Sequence, residues 1–278
     1  MCRLFGISRQ GLYQSKARAN RRSQEFDQVR ELVCQIRRRQ PRLGTRKLYY
    51  LLKSEFERLG IKLGRDALFD YLRAERMLIK PRKKYTKTTY SKHWLHKHPN
   101  LVKDLQIERA EQLFVSDITY LKSRHKTYYL SLVTDAYSRK IMGYYLSEDM
   151  FSESIVRALQ MAVRHRRTKK RLIHHSDRGL QYCSAIYQNE LAENKIKPSM
   201  TDGSDCYQNA LAERVNGILK QEFLLYECNT TQELERLVKE SIEIYNNERP
   251  HLSLGMQTPN SIHEKACGSK STGIKTNQ

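Results

Sequence analysis

One aspartate in an apolar strand constrains this chain more than any other feature. Asp117 stands in FVSDITYL, residues 114–121. Strand alternation places Val115, Asp117, Thr119 and Leu121 on one face, with Phe114, Ser116, Ile118 and Tyr120 on the other. A carboxylate in such a setting is costly unless it is paired or bound to metal. Two other acids suit that need. Asp177, in HHSDRGLQY, follows a strand-like run at 171–175, and Glu213 lies in the helix-like run NALAERVNGILKQE. Thirty-five residues separate Asp177 from Glu213. A strand, a strand end and a helix can gather three carboxylates around a pair of divalent ions. Hard oxygen ligands suit Mg²⁺ or Mn²⁺ rather than zinc. Two such ions about 4 Å apart can hold the attacking and leaving oxygens of a phosphodiester in line. Asp117, Asp177 and Glu213 are therefore the expected catalytic residues and metal ligands, the two aspartates sharing ions and Glu213 completing one shell.

The charge balance points to the partner. Lys and Arg number 51 against 30 Asp and Glu, a net charge of +21, and such a surplus calls for a polyanion. It is uneven: residues 1–100 hold 26 basic and 8 acidic side chains, residues 101–278 hold 25 and 22. A solvated charged face would not bias a whole region, so the N-terminal third reads as the main DNA-gripping part. The six cysteines are scattered without a C-x-x-C pair, which indicates neither a disulfide framework nor a cysteine zinc site. Reduced thiols fit a cytoplasmic, nucleoid-associated setting. No run of about 18 apolar residues indicates a membrane span, and the first residues lack a signal-peptide core.

Four sections follow from the pattern. Residues 1–80 form a basic helical region. Phe26, Val29, Leu32, Val33 and Ile36 recur at helical spacing. Leu48, Leu51, Leu52, Phe56 and Leu59 mark a second helix after Gly44-Thr45, with Thr45 as N-cap. Gly60 and Gly64 mark a turn, and Leu68, Phe69 and Leu72 a further helix. Helix, glycine turn and helix resemble a helix-turn-helix; a bundle that only packs is the alternative. CRLFGISRQGLYQ at residues 2–14 also resembles the second half of such a motif, with Gly6-Ile7-Ser8 as its turn.

Residues 81–110 read as a basic linker. His93, His96 and His98 lack a nearby cysteine, so a cationic, aromatic-containing strap along DNA is favoured over zinc. Residues 111–265 read as an α/β core with a mixed sheet. Its strands are expected at 114–121, 127–134, 139–146, 171–175 and 196–200, and its helices at 152–164, 181–194, around Glu213, and at 231–248. Residues 266–278 read as a flexible tail.

On the Glu213 helix, Leu211, Val215, Ile218 and Leu219 form the apolar stripe, and Asn209, Glu213, Asn216 and Lys220 a polar one. Glu213 and Lys220 would stand two turns apart, roughly 10 Å along the axis. Glu213 can then ligate metal while Lys220 touches a phosphate. The expected DNA contacts are Lys220, Arg214, Asn209, Arg46, Lys47, Arg82, Lys83 and Lys84. His174 and His175 read as structural or DNA-contacting rather than as general bases, since metal can activate the nucleophile. Arg249, Pro250 and His251 either close the site, contact DNA or simply end a helix.

At these residues the chain resembles a DDE transposase of the retroviral-integrase superfamily. It is most similar to the larger reading-frame product of the insertion-sequence-three group. The resemblance rests on SDITYL, HHSDRGLQY, NALAERVNGILKQE, YNNERPHLSLGMQTP at 245–259 and GTRKLYYLL at 44–52. It implies a ribonuclease-H-like core, cleavage of element ends and strand transfer with Mg²⁺. It also implies a circular DNA intermediate, a homo-oligomer on DNA, and an upstream reading frame that supplies a helix-turn-helix and a coiled coil by frameshifting. Phe114 replaces a common tryptophan, and Gln208 replaces the aspartate that usually precedes Asn209. Other readings are a metal-dependent nuclease without strand transfer, an inactive DNA-binding regulator, and a serine or tyrosine recombinase built on Tyr245, Arg249 and His251.

Overall fold

The computed structural model describes residues 8–80, 95–202 and 209–268. The chain divides into two compact units, Met1–Pro81 and Arg82–Gln278.

The first unit holds three helices: α1 (Arg9–Arg39), α2 (Thr45–Arg58) and α3 (Arg65–Ala74). Ser8 caps α1 by accepting the Gly11 N–H at 3.0 Å. The two helical stretches expected near Ser8 and at Phe26–Ile36 are thus one helix, because no Gly or Pro interrupts residues 14–36. Val29 and Val33 of α1 pack with Leu43, Leu48, Leu52, Phe56, Ile61, Leu68 and Leu72. Among the described residues, no residue of α1 before Val29 is a buried member of this core. Tyr71 stacks on Phe26 at 4.6 Å and its hydroxyl donates to the Phe26 carbonyl, tying α3 to α1. Thr45 is not the N-cap of α2. Gly44 is, since its carbonyl already accepts the Lys47 and Leu48 N–H groups, and Thr45 is buried as the first helical residue. Gly60 follows α2 at φ +68°, the left-handed step that ends a helix and starts the turn to α3.

The second unit is built on a five-stranded sheet. Its strands are β1 (Leu113–Lys122), β2 (Thr127–Asp135), β3 (Ile141–Ser147), β4 (Leu172–Ser176) and β5 (Ile196–Met200), in the order β3-β2-β1-β4-β5. The first three are antiparallel neighbours, and β4 and β5 add in parallel. Helices α4 (Ser152–Arg164), α5 (Ala185–Glu193), α6 (Ala210–Ile218), α7 (Thr231–Asn247) and α8 (Pro259–Cys267) complete it.

Side-chain alternation on the strands feeds two cores. Phe114, Val133 and Met142 pack with Ile155 and Leu159 of α4 and with Tyr187 and Leu191 of α5. Leu121, Leu130, Leu132 and Ile141 pack with Val215 of α6 and with Val238, Ile242 and Tyr245 of α7. Asp117 shares the parity of Leu121, so it stands on the α6 and α7 side. Gly143 lets α4 approach the sheet, since a Cβ there would lie 2.1 Å from the Ala158 carbonyl oxygen.

Some boundaries differ from expectation. β3 begins at Ile141 because Arg139 takes a left-handed turn conformation, φ 66°. α5 begins at Ala185, four residues late, after a turn at Tyr182–Ser184. Residues 81–94 lie outside the described residues. The rest of the expected linker lies against the core: Leu95, Val102, Leu105 and Ile107 pack on it, and the Leu101 N–H donates to Ser199 Oγ. The expected tail loses its first residues to α8, which Thr258 caps and Pro259 opens. Residues 269–278 lie outside the described residues.

Candidate active site

Parallel pairing of β1 with β4 sets the site. Leu113, Phe114 and Val115 pair with Ile173, His174 and His175. The same offset carried two residues further brings Asp117 level with Asp177, at the carboxyl end of β4. Open α/β sheets hold their sites at that end. Asp177 is fixed by a turn: its Oδ1 accepts the Gly179 N–H at 3.0 Å. A Cβ at Gly179 would crowd the same oxygen at 3.0 Å.

Glu213 arrives on α6, whose Ala212 packs with Leu113 and Val115 of β1. Asn209 and Asn216 hold that helix in place. Asn209 Nδ2 donates to the Ser116 carbonyl at 3.0 Å, and Asn216 Nδ2 donates to Asp117 Oδ2 at 2.8 Å. The other carboxylate oxygen of Asp117 accepts the Ile118 N–H. The side chain of Asn209 is buried, so it joins α6 to β1 rather than facing out as a DNA contact.

The carboxylates feel one another. Burial and then the charge of Asp177 push Asp117 up to about 7, with a smaller contribution from Glu213. Partial desolvation and then Asp177 raise Glu213. Asp117 takes part in no ion pair among the described residues. Three polar atoms in the neighbourhood also lack a hydrogen-bond partner among the described residues: Asn209 Oδ1, Asn216 Oδ1 and the Tyr182 hydroxyl. The charges of Asp177 and Asp117 both act on that hydroxyl.

The paired histidines are structural. His174 is buried, and its Nε2 meets Ser116 Oγ at 2.7 Å and the Tyr187 hydroxyl at 2.9 Å. Burial, then His175, push His174 down to about 3, so it stays neutral. His175 Nδ1 bonds Ser199 Oγ at 2.9 Å.

Known proteins resemble this chain in sequence and fold. The family model described as "Integrase core domain" matches residues 108–206, and a second of the same description matches 194–259. An uncharacterized 31 kDa protein of insertion element IS600 from Shigella sonnei is 36% identical, over 95% of this chain and 98% of that one. Transposase InsF of insertion sequence IS3A from Escherichia coli K12 is 31% identical, over 95% and 93%. This chain belongs to the IS3-group transposases. In structure it is similar to a chain of the simian T-cell lymphotropic virus intasome solved with a PP2A regulatory subunit. The TM-score is 0.51 at 17% identity, covering 85% of this chain and 75% of that one. The transposase thus has the ribonuclease-H-like integrase fold. It is a polynucleotidyl transferase of a metal-dependent family. None of its described helices is long and apolar enough to cross a membrane.

The remaining expected residues of the transposase fall in different places. Lys220 is half-buried near the carboxylates. Burial lowers its pKa, and the charge of Asp117 opposes that. It does not continue a straight α-helix from Glu213, because α6 gives way at Leu219–Phe223 to a π turn. Such turns cluster at functional sites. Arg214 is exposed, and its charge acts on Arg139 and Tyr245. Arg46 and Lys47 lie in the first turn of α2, in the other unit. Arg82, Lys83 and Lys84 lie outside the described residues.

The YNNERPH segment supports the site from behind. Arg249 is buried and grips Glu222 of the π turn with two hydrogen bonds, 2.8 Å from Nε and 2.6 Å from a terminal nitrogen. Its other terminal nitrogen meets His251 Nε2 at 3.1 Å. The two sequence motifs are therefore joined.

Asn216, Glu222 and the buried set around Glu111 and His263 were not singled out as site or framework residues in the sequence. Asn216 had a visible signal, three residues beyond Glu213 on one stripe. Among the described residues, one trio of donors has its ligand atoms within 4.8 Å of one another: Glu111, His263 and Cys267. Asp117, Asp177 and Glu213 stand more openly than that.

Proposed function

We propose that this transposase cleaves and joins DNA at its insertion-sequence ends through Asp117, Asp177 and Glu213, holding two Mg²⁺ or Mn²⁺ ions. The observation that carries the reading is the mutual electrostatic strain of the three carboxylates. Like charges converge, Asp117 is driven up to about 7 by burial and then by Asp177, and no cation of the described residues pairs with it. A divalent ion offsets that repulsion. The donor set fits: the carboxylates offer hard oxygen ligands. The partnerless Asn209 Oδ1, Asn216 Oδ1 and Tyr182 hydroxyl add polar atoms for an ion's hydration shell. When bound, the ions would supply Lewis-acid activation of water or a DNA 3′-hydroxyl and stabilise the leaving oxygen.

The chain's own groups do the positioning. Asn216 orients Asp117 through Oδ2, and the Gly179 N–H orients Asp177. Lys220 offers a cation to a DNA phosphate next to the carboxylates. His174 is neutral and saturated by Ser116 and Tyr187, so it supports β4 and moves no proton.

Residues 1–80 and the basic stretch 81–94, with Arg46, Lys47, Arg82, Lys83 and Lys84, grip the DNA. The catalytic core spans 111–267, with residues 95–110 packed against it. The partners are element ends, target DNA and further copies of the chain, since two ends must be joined. An upstream reading frame would add a second helix-turn-helix and a coiled coil.

The test is strand transfer in Mg²⁺ with labelled DNA carrying the element's ends, with Glu213→Gln as control. Joined products that vanish in the variant support the reading. Cleavage without joining favours a nuclease, and binding with neither reaction favours a regulator. Deleting residues 1–80 should weaken DNA binding and flatten its salt dependence, because fewer phosphate contacts release fewer counterions.

A further inference from the structure

Just before the start of β1, α8 brings two metal-binding side chain types to one buried acid. His263 and Cys267 are four residues apart on α8 and therefore project from one helix face. His263 Nε2 lies 3.3 Å from Glu111 Oε1 and 3.7 Å from Cys267 Sγ. Glu111 and His263 are both wholly buried, and Cys267 is half-buried.

We propose that Glu111, His263 and Cys267 form a zinc site that pins α8 to the core. It is separate from the three catalytic carboxylates and does not depend on their assignment.

The two separations from His263 Nε2 are those of ligands sharing one small tetrahedral ion, and the Glu111 and Cys267 ligand atoms lie within 4.8 Å of each other. With Zn–N and Zn–O near 2.0–2.1 Å and Zn–S near 2.3 Å, tetrahedral angles put N···O at about 3.3 Å and N···S at about 3.6 Å. The ligand set mixes sulfur, imidazole and carboxylate, which suits zinc and not magnesium. The surrounding groups are also those of a metal site. His263 presents its other nitrogen, Nδ1, to Ser138 Oγ at 3.1 Å and to Asp135 Oδ2 at 3.6 Å. A ligand imidazole is held in orientation by such a carboxylate. Ser138 in turn donates its hydroxyl and its N–H to Asp135 Oδ2.

Glu111 is preset as well. Its Oε1 accepts the Arg167 N–H at 2.7 Å, and its Oε2 accepts the Thr168 N–H and hydroxyl, both at 2.7 Å. Each carboxylate oxygen has two lone pairs, so Oε1 keeps one for an ion. On binding, Zn²⁺ replaces two protons, one on His263 Nε2 and one on the Cys267 thiol, and both leave to solvent. The half-exposed sulfur gives the ion its entry path, and a water completes four-coordination there. The brace would join α8, the stretch before β1 and the turn between β2 and β3.

The experiment uses the full chain, stripped with chelator and titrated with Zn²⁺, with Co²⁺ as a spectroscopic substitute. The expected result is one tight Zn²⁺ per chain and a thiolate-to-cobalt charge-transfer band. That band should be missing in Cys267→Ala and kept in Asp117→Asn/Glu213→Gln. In the Asp117→Asn/Glu213→Gln background, Zn²⁺ should raise the melting temperature, and adding Cys267→Ala should abolish that rise. Zn²⁺ should also slow alkylation of Cys267 in wild type by about tenfold or more, since a ligated thiolate is shielded; this readout stands even if the alanine variant folds poorly. A cobalt spectrum that is absent or identical in wild type and Cys267→Ala would overturn the proposal. So would alkylation of Cys267 at the same rate with and without Zn²⁺.

Discussion

Asn216 donates a 2.8 Å hydrogen bond to Asp117 Oδ2, and that bond fixes the rotation of α6 over β1. Glu213 sits one turn earlier on the same helix, so the register of α6 decides whether the third carboxylate meets the first two. Groups that orient a metal ligand change activity by about 10- to 100-fold when removed. Asn216→Ala should therefore lower strand transfer by about that factor and leave DNA affinity within about twofold. Asn216→Asp should lose more, since it adds a like charge beside Asp117. Single-turnover joining assays and DNA-binding titrations check this; a full-rate Asn216→Ala would remove the positioning role.

Asp117→Asn separates catalysis from folding. Asp117 titrates near 7 in the fold, against an ordinary carboxyl value of 3.8. The folded state thus holds a proton that the unfolded chain gives up between about pH 4 and 7. Stability of the metal-free protein falls as pH rises through that window and stays lower above it. The amide ends the penalty. At pH 8 in chelator, Asp117→Asn should melt higher by on the order of 5 °C, while cutting and joining disappear. Calorimetry beside the activity assay tests both, and a lower melting temperature would contradict the repulsion argument.

The same proton links pH to metal. Below about pH 7 a divalent ion must displace it, so Mg²⁺ affinity should rise about tenfold per pH unit up to that point and then level off. In Asp117→Asn the slope should disappear along with most of the affinity. Metal titrations followed by melting temperature between pH 5.5 and 8.5 would show the bend; a pH-independent affinity in the wild type would argue against proton displacement.

The layer of strands around the site was readable because local rules act there. Alternation along β1 puts Asp117 on the side of Leu121, and the structure has α6 and α7 on that side. A short apolar run before Asp177 marks β4, and the stripe through Asn209, Glu213 and Asn216 marks the helix face. What escaped depends on distant partners. The Glu111–His263 contact joins residues from opposite ends of the core, and no period in the sequence announces it. The π turn at Leu219–Phe223 has no composition of its own, so Lys220 was placed on a straight helix. α8 had a short signal, Thr258 before Pro259, which on its own is weak. Composition favours Thr45 as a cap, but a cap depends on which carbonyl first accepts a helical N–H, and Gly44 does so.

Gly143 tests the close contact of β3 with α4. A methyl group there would meet the Ala158 carbonyl at 2.1 Å and the Ala162 backbone nitrogen at 2.6 Å. Both are backbone atoms of α4, so no side chain can swing away. Gly143→Ala should cost about 1–3 kcal/mol, the range for overpacking a close-packed interior. Denaturant unfolding measures it, and a stability equal to wild type would mean that α4 stands further from the sheet.

Arg249 and Glu222 form the other joint that bears on the site. In their bidentate pair Arg249 is buried and Glu222 partly so, and the pair ties the end of α7 to the π turn that carries Lys220. Removing one partner leaves a buried charge uncompensated, which costs about 3–5 kcal/mol. Arg249→Met and Glu222→Gln should each destabilise by about that amount. The double variant Arg249→Met/Glu222→Met should recover much of the loss, since an apolar pair of similar volume leaves no charge behind. Activity separates stability from geometry. If the joint only holds the fold, the double variant regains strand transfer along with its melting temperature. If it also sets Lys220 against the DNA, the double variant melts like wild type yet joins DNA more slowly, with a raised requirement for substrate. A double-mutant cycle read by both unfolding and joining distinguishes the two, and additive single effects on stability would show that the pair does not act as a unit.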